Sequence, residues 1–80
     1  MRIDKFLKNS RLIKRRSVAK EACEQERILI NDKVAKPGTE VREGDVIRIR
    51  FGNSVVTAKV LRLLDSSKKE DAATMYEIIE

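Results

Sequence analysis

The sequence predicts an α+β fold in which two N-terminal helices pack on a small, mostly antiparallel sheet. Three observations carry this expectation. Apolar residues recur at helical spacing over the first 25 positions, and from Ile28 onward the period changes to two. Turn dipeptides, Asn31-Asp32, Pro37-Gly38, Gly44-Asp45 and Gly52-Asn53, then punctuate the second half at short intervals. No linker, repeat or low-complexity tract interrupts the 80 residues, so positions 1–80 read as a single domain, near the lower size limit for folding without staples.

The first helix is expected over residues 3 to 12. Ile3, Phe6, Leu7 and Ser10 supply its inward face, Lys5, Lys8 and Arg11 its outer side, and Asp4 sits in the first turn, where a carboxylate favours the positive end of the helix dipole. A break near Ile13 and Lys14 follows, because the apolar phase restarts there. The second helix is expected from about Arg15 to Gln25, burying Val18, Ala19, Ala22 and Cys23 and exposing Arg16, Lys20, Glu21 and Glu24. Its start carries no Ser, Thr, Asp or Asn cap. Lys14, Arg15 and Arg16 stand there instead, cations beside orphan backbone donors, and a bound anion would relieve their repulsion.

In the second half, Ile28, Ile30 and Val34 alternate with polar residues across an Asn31-Asp32 turn that tolerates left-handed backbone. Val46 to Phe51 alternates cleanly, with Val46, Arg48 and Arg50 on one side and Ile47, Ile49 and Phe51 on the other. Gly52-Asn53 is expected to turn this strand into another running from about Val55 to Leu64. One or two helical turns fit Lys68 to Thr74, and Met75 to Ile79 closes the sheet as a last strand. Phe6 and Phe51 are both expected in the core.

Charge is distributed unevenly. The first twenty residues hold Arg2, Lys5, Lys8, Arg11, Lys14, Arg15, Arg16 and Lys20 against one acid, Asp4, and are near +7. The other sixty, with ten bases and twelve acids, are near −2, so the net +5 belongs to one end of the chain. A basic patch on an otherwise balanced small domain is the footprint of a polyanion binder, nucleic acid above all. Those eight bases are the candidate binding residues. Arg2, Arg11, Arg15 and Arg16 come first because forked guanidinium groups bind phosphate bidentately, while the four lysines add less directional charge.

Other classes find little support. The chain has no histidine, so the usual general base and the commonest metal ligand are absent; no cysteine pair has metal spacing, and three scattered glycines make no phosphate loop. No catalytic residue, metal or cofactor is expected. One Tyr, two Phe and no Trp make no base-stacking platform. The lone Cys23, on the apolar face of the second helix, reads as a small core residue, and with no secretory leader or long apolar run it points to the cytoplasm. A peripheral membrane role would need an exposed apolar face beside the bases, and the helices use theirs to cover the sheet.

The order of motifs resembles the S4 RNA-binding domain (the αL fold). Arg2-Ile3-Asp4-Lys5-Phe6-Leu7, Ser10-Arg11, Arg16 with Ala19-Lys20, Ile28-Leu29-Ile30-Asn31 and Val41-Arg42-Glu43-Gly44-Asp45 carry the likeness over roughly residues 1 to 50. Two positions depart from the family pattern: Glu26, closing the second helix, and Asp32 stand where the family usually has glycine. The run from Arg2 through Lys20 and the ending Met75-Tyr76-Glu77-Ile78-Ile79 are similar to stand-alone S4 proteins of bacterial ribosome-associated quality control. The heat-shock S4 proteins usually carry a longer basic tail, and the sequence ends at Glu80 without one.

The resemblance implies a non-enzymatic factor that holds its two-helix face against structured RNA. Implied partners are 23S rRNA of the large (50S) subunit, with helix 69 the element expected, and peptidyl-tRNA in the P site. An RqcH-type tailing factor on the same particle would add alanine to the stalled nascent chain. The protein is expected to be a monomer off the ribosome. The heat-shock relatives imply a different task, recycling of 50S subunits blocked by nascent chains.

Overall fold

The computed structural model describes residues 1–79. Helix α1 spans Ile3–Asn9 and helix α2 Arg16–Glu24. Five strands follow, β1 (Ile28–Ile30), β2 (Lys33–Val34), β3 (Val46–Phe51), β4 (Ser54–Val60) and β5 (Tyr76–Ile78), with a one-turn helix α3 (Lys69–Ala72) between the last two. The strands form one sheet in the order β2-β1-β3-β4-β5, and every neighbouring pair is antiparallel.

Helix α1 buries Ile3, Phe6 and Leu7, and Ser10, at its C-cap, is buried with them, so the expected inward face is present. It ends at Asn9 rather than residue 12. Arg11 adopts a left-handed backbone, with φ of 62°, and its N–H donates to the Lys8 carbonyl at 3.0 Å, which terminates the helix as a C-terminal cap does. The Ser10 hydroxyl adds to this by donating to the Leu7 carbonyl at 3.1 Å, a local bond that competes with helix continuation. At the other end no side chain caps α1. The Ile3 and Asp4 N–H groups instead donate to the Thr39 and Pro37 carbonyls at 2.8 and 3.3 Å, so the 37–39 loop satisfies the helix start.

Helix α2 buries a narrow seam, Ala19 and Cys23, one turn apart, with Ala22 half-buried beside it. Val18, expected in the core, is 49% exposed. It lies about 100° around the axis from Ala19, and the two small residues of the seam leave contact on that one line only. The end of α2 is a Schellman motif. Glu26 donates to the Cys23 carbonyl at 3.0 Å and Arg27 to the Ala22 carbonyl at 2.9 Å, with Glu26 left-handed at a φ of 61°. This is the position where the family pattern has glycine.

In the sheet, Asn31 and Asp32, with φ of 51° and 69°, form the expected left-handed two-residue turn between β1 and β2. Val34 pairs with Leu29 and so lies on the face away from the helices, 52% exposed. Ile47 and Ile49 of β3 reach the core as expected, whereas Phe51, on the same side, is 43% exposed. It is the last residue before the Gly52-Asn53 turn and lies opposite Ser54, beyond the reach of the helices. Strand β4 ends at Val60, not Leu64. Residues 61–68 leave the sheet and cross to α1, and the Leu61 N–H donates to the Met75 carbonyl at 2.8 Å where they depart. Between the sheet and the two helices sits one core, in which Ile3, Phe6, Leu7, Ile28, Ile47, Ile49, Val60 and Met75 are almost fully buried.

Candidate nucleic-acid interface

Of the eight basic residues singled out from the sequence, seven lie on α1, α2 or the loop between them and Arg2 stands at the N-cap of α1, and the fold gives them different surroundings. Arg2 and Arg16 meet over Asp4. The Asp4 carboxylate is 2% exposed and takes Arg2 Nη2 on Oδ2 at 3.1 Å and Arg16 Nη2 on Oδ1 at 3.5 Å, each arginine about half exposed. Gly38 lies beside Arg2, where an added Cβ would be 4.0 Å from the guanidinium. One buried carboxylate thus fixes two guanidinium groups whose remaining donors face solvent, a pre-organised arrangement for a planar or tetrahedral oxyanion.

Arg15 occupies the N-cap position of α2 in extended conformation, and no side chain caps the helix. The first helical bond runs from Ala19 N–H to the Arg15 carbonyl at 3.0 Å, which leaves the donors of Arg16, Ser17 and Val18 pointing outward beside two guanidinium groups. This is the uncapped, cationic helix start that the sequence suggested. Lys20 is exposed one turn further along the same helix.

The other bases face residues 61–69. Lys5 Nζ is 2.7 Å from Asp65 Oδ1, and that contact holds the Asp65 carboxyl below the usual range through its hydrogen bond and charge. Arg11 Nε donates to the Ser67 carbonyl at 2.8 Å. Lys8 and Lys14 have no carboxylate partner among the described residues. Most of the basic set therefore falls at two places: Arg2 and Arg16 on Asp4, with Arg15 next to Arg16 at the start of α2, and Lys8, Arg11 and Lys14 with Ser67 around the C-terminal end of α1.

Sequence reasoning missed Asp4 and Ser67. Asp4 read as a first-turn carboxylate, and its two partners are two and twelve positions away, so no local pattern marks it. Ser67 falls between the strand expected to end near Leu64 and the helical turns expected from Lys68, and its partner Arg11 is 56 positions away, so no local pattern marks it either. Among the described residues no group of acids, histidines or cysteines could hold a metal, and no helix is long and apolar enough to cross a membrane. Burial first, then the charges of Asp4 and Glu24, push the Cys23 thiol up to about 11, which fits a core residue and not a nucleophile.

Two short helices laid on one face of a small antiparallel sheet, with arginines at an uncapped helix start, define an S4-type fold. The family model for the S4 domain matches residues 1–47, and the chain belongs to the S4 domain family. Within that family it is 59% identical to the RQC P-site tRNA stabilizing factor of Listeria monocytogenes over 80 residues, all of this chain and 87% of that one. It is 54% identical to the protein of the same name from Bacillus subtilis, again over 80 residues, all of this chain and 93% of that one. Among solved structures, the trimeric heat shock protein 15 of Vibrio cholerae superimposes with a TM-score of 0.91 at 29% identity, over 99% of this chain and 81% of that one.

Proposed function

We propose that the protein is a non-enzymatic RNA-binding factor of ribosome-associated quality control in the cytoplasm. In this reading it binds 23S rRNA on a stalled 50S subunit and steadies peptidyl-tRNA in the P site while an RqcH-type factor extends the nascent chain with alanine. The observation that carries it is the Asp4-anchored pair, Arg2 and Arg16, beside the uncapped start of α2. Fixed guanidinium groups and outward backbone donors suit phosphates of folded RNA, which is recognised by backbone and shape. The names of the relatives at 54–59% identity supply the ribosomal setting.

The mechanism asks only for binding. Arg2, Arg15 and Arg16 clamp phosphates, the lysines neutralise neighbouring ones, and the rigid two-helix face holds two RNA elements in register. No bond is made or broken, so the contribution to tailing is to lengthen the time that the tRNA remains in place.

The test is Arg16→Ala measured by co-sedimentation with purified 50S subunits and by alanine tailing in cells. The expected result is at least about tenfold weaker subunit binding, as for loss of a charge-assisted bond, and reduced tailing with an unchanged circular dichroism spectrum. An unfolded variant would make Arg16 structural, and full binding would remove the basic face from the interface. Loss of binding with intact tailing would favour the heat-shock task, recycling of blocked subunits, to which the likeness to heat shock protein 15 also points.

A further inference from the structure

After β4 the chain crosses α1 and is fastened at three points, two on the helix and one just past its end. Asp65 meets Lys5 at 2.7 Å, the Leu64 carbonyl accepts from Asn9 Nδ2 at 3.2 Å, and the Ser67 carbonyl accepts from Arg11 Nε at 2.8 Å. Ser66 secures the far side, its hydroxyl donating to Asp71 Oδ2 at 2.9 Å and accepting from the Lys68 N–H at 3.2 Å. Between this strap and the end of α1 lies a cleft of about 280 Å³ lined by Lys8, Arg11, Lys14 and Ser67. That is several times the ~30 Å³ that one water occupies in the liquid.

The electrostatics of the cleft are one-sided. Lys8 and Lys14 carry no ion pair among the described residues, and Arg11 spends only its Nε on Ser67, so both terminal nitrogens remain as donors. The nearby acid, Asp65, is already engaged by Lys5. Three cations converging on a walled cleft repel one another when it is empty, and a tetrahedral anion relieves that repulsion.

We infer that this cleft is a second phosphate site, taking a backbone phosphate of structured RNA at the end of α1 opposite the Arg2–Asp4–Arg16 cluster. The inference rests on the RNA-binding reading above and adds to it a separate point of attachment, with residues 65–68 as part of the interface. The seven residues of α1 rise about 10 Å, so the two sites contact different phosphates and together fix the orientation of the RNA.

The experiment compares Lys8→Gln/Lys14→Gln with Lys33→Gln/Lys59→Gln, which removes the same charge from exposed lysines on the sheet, and with Arg16→Ala. Binding to purified 50S subunits is measured across a salt series, with thermal melts as the control for folding. The cleft pair should weaken binding at least ~10-fold and flatten the log–log salt slope by roughly 0.7–0.9, for one phosphate no longer neutralised. The sheet pair should change affinity less than ~3-fold. Ser67→Glu, which sets a carboxylate at the cleft wall, should match the cleft pair. Equal effects of the two lysine pairs, with Arg16→Ala still impaired, would overturn the cleft and leave the RNA-binding reading standing. Undiminished binding in all four variants would overturn both.

Discussion

Asp4 and Arg16 stand twelve positions apart and meet at 3.5 Å, the carboxylate 2% exposed and the guanidinium about half exposed. The contact joins the first turn of α1 to the first turn of α2, and Arg2 closes it from the other side at 3.1 Å. A buried carboxylate needs such partners, and the partners gain a fixed position from it.

Asp4→Asn keeps the shape and removes the charge. Since both arginines can turn to solvent, the expected loss is about 1–2 kcal/mol of stability, below the cost of orphaning a fully buried ion. For a domain of this size that lowers Tm by roughly 4–16 °C. Subunit binding should also weaken, although the variant is more positive. Stronger binding would show that net charge, and not the position of Arg2 and Arg16, decides affinity.

A face that neutralises about five phosphates should give a log–log salt slope of roughly −3.5 to −4.5. Titration of 50S binding across a salt series measures it directly, and a slope near zero would contradict an electrostatic interface.

Glu26→Gly should stabilise the protein. Glu26 holds a φ of 61° in the Schellman turn that ends α2, a conformation glycine adopts without strain. After allowing for the greater freedom of glycine in the unfolded chain, the gain should be about 0.5–1 kcal/mol. A denaturant midpoint that moves down would show that the Glu26 side chain contributes something that the geometry does not reveal.

The two phenylalanines should respond differently to truncation. Phe6, fully buried, should cost about 3–5 kcal/mol on replacement by alanine. Phe51, 43% exposed at the hairpin tip, should cost roughly 1–1.5 kcal/mol. Urea denaturation of the two variants provides the comparison.

The Cys23 thiol has its pKa raised from an ordinary 9.0 to about 11 by burial. Its folded value lies above its unfolded value, so the stabilising difference is complete below about pH 9 and disappears as pH rises through about 11. Wild type should therefore lose stability relative to Cys23→Ala over that interval. Parallel stability curves from pH 8 to 11 would mean that the thiol is better solvated than its burial indicates. Thiol reagents should label native Cys23 slowly.

The fold class, both helices and the turns at Asn31-Asp32 and Gly52-Asn53 are legible in the residues, because periodicity and turn chemistry are local and each is stated within a few positions. The basic patch is legible too, since eight bases fall within the first twenty residues. Where the elements end and which polar groups meet depends instead on packing between distant segments. Helix α1 stops at Asn9 because Arg11 turns left-handed against Lys8, and β4 stops at Val60 because the next residues pack across α1. Val18 and Phe51 have the same apolar character as core residues, and only the extent of the opposing surface leaves them exposed. The pairing of Asp4 with Arg16 and of Arg11 with Ser67 spans 12 and 56 positions, and separations of that length are set by packing, not by pattern.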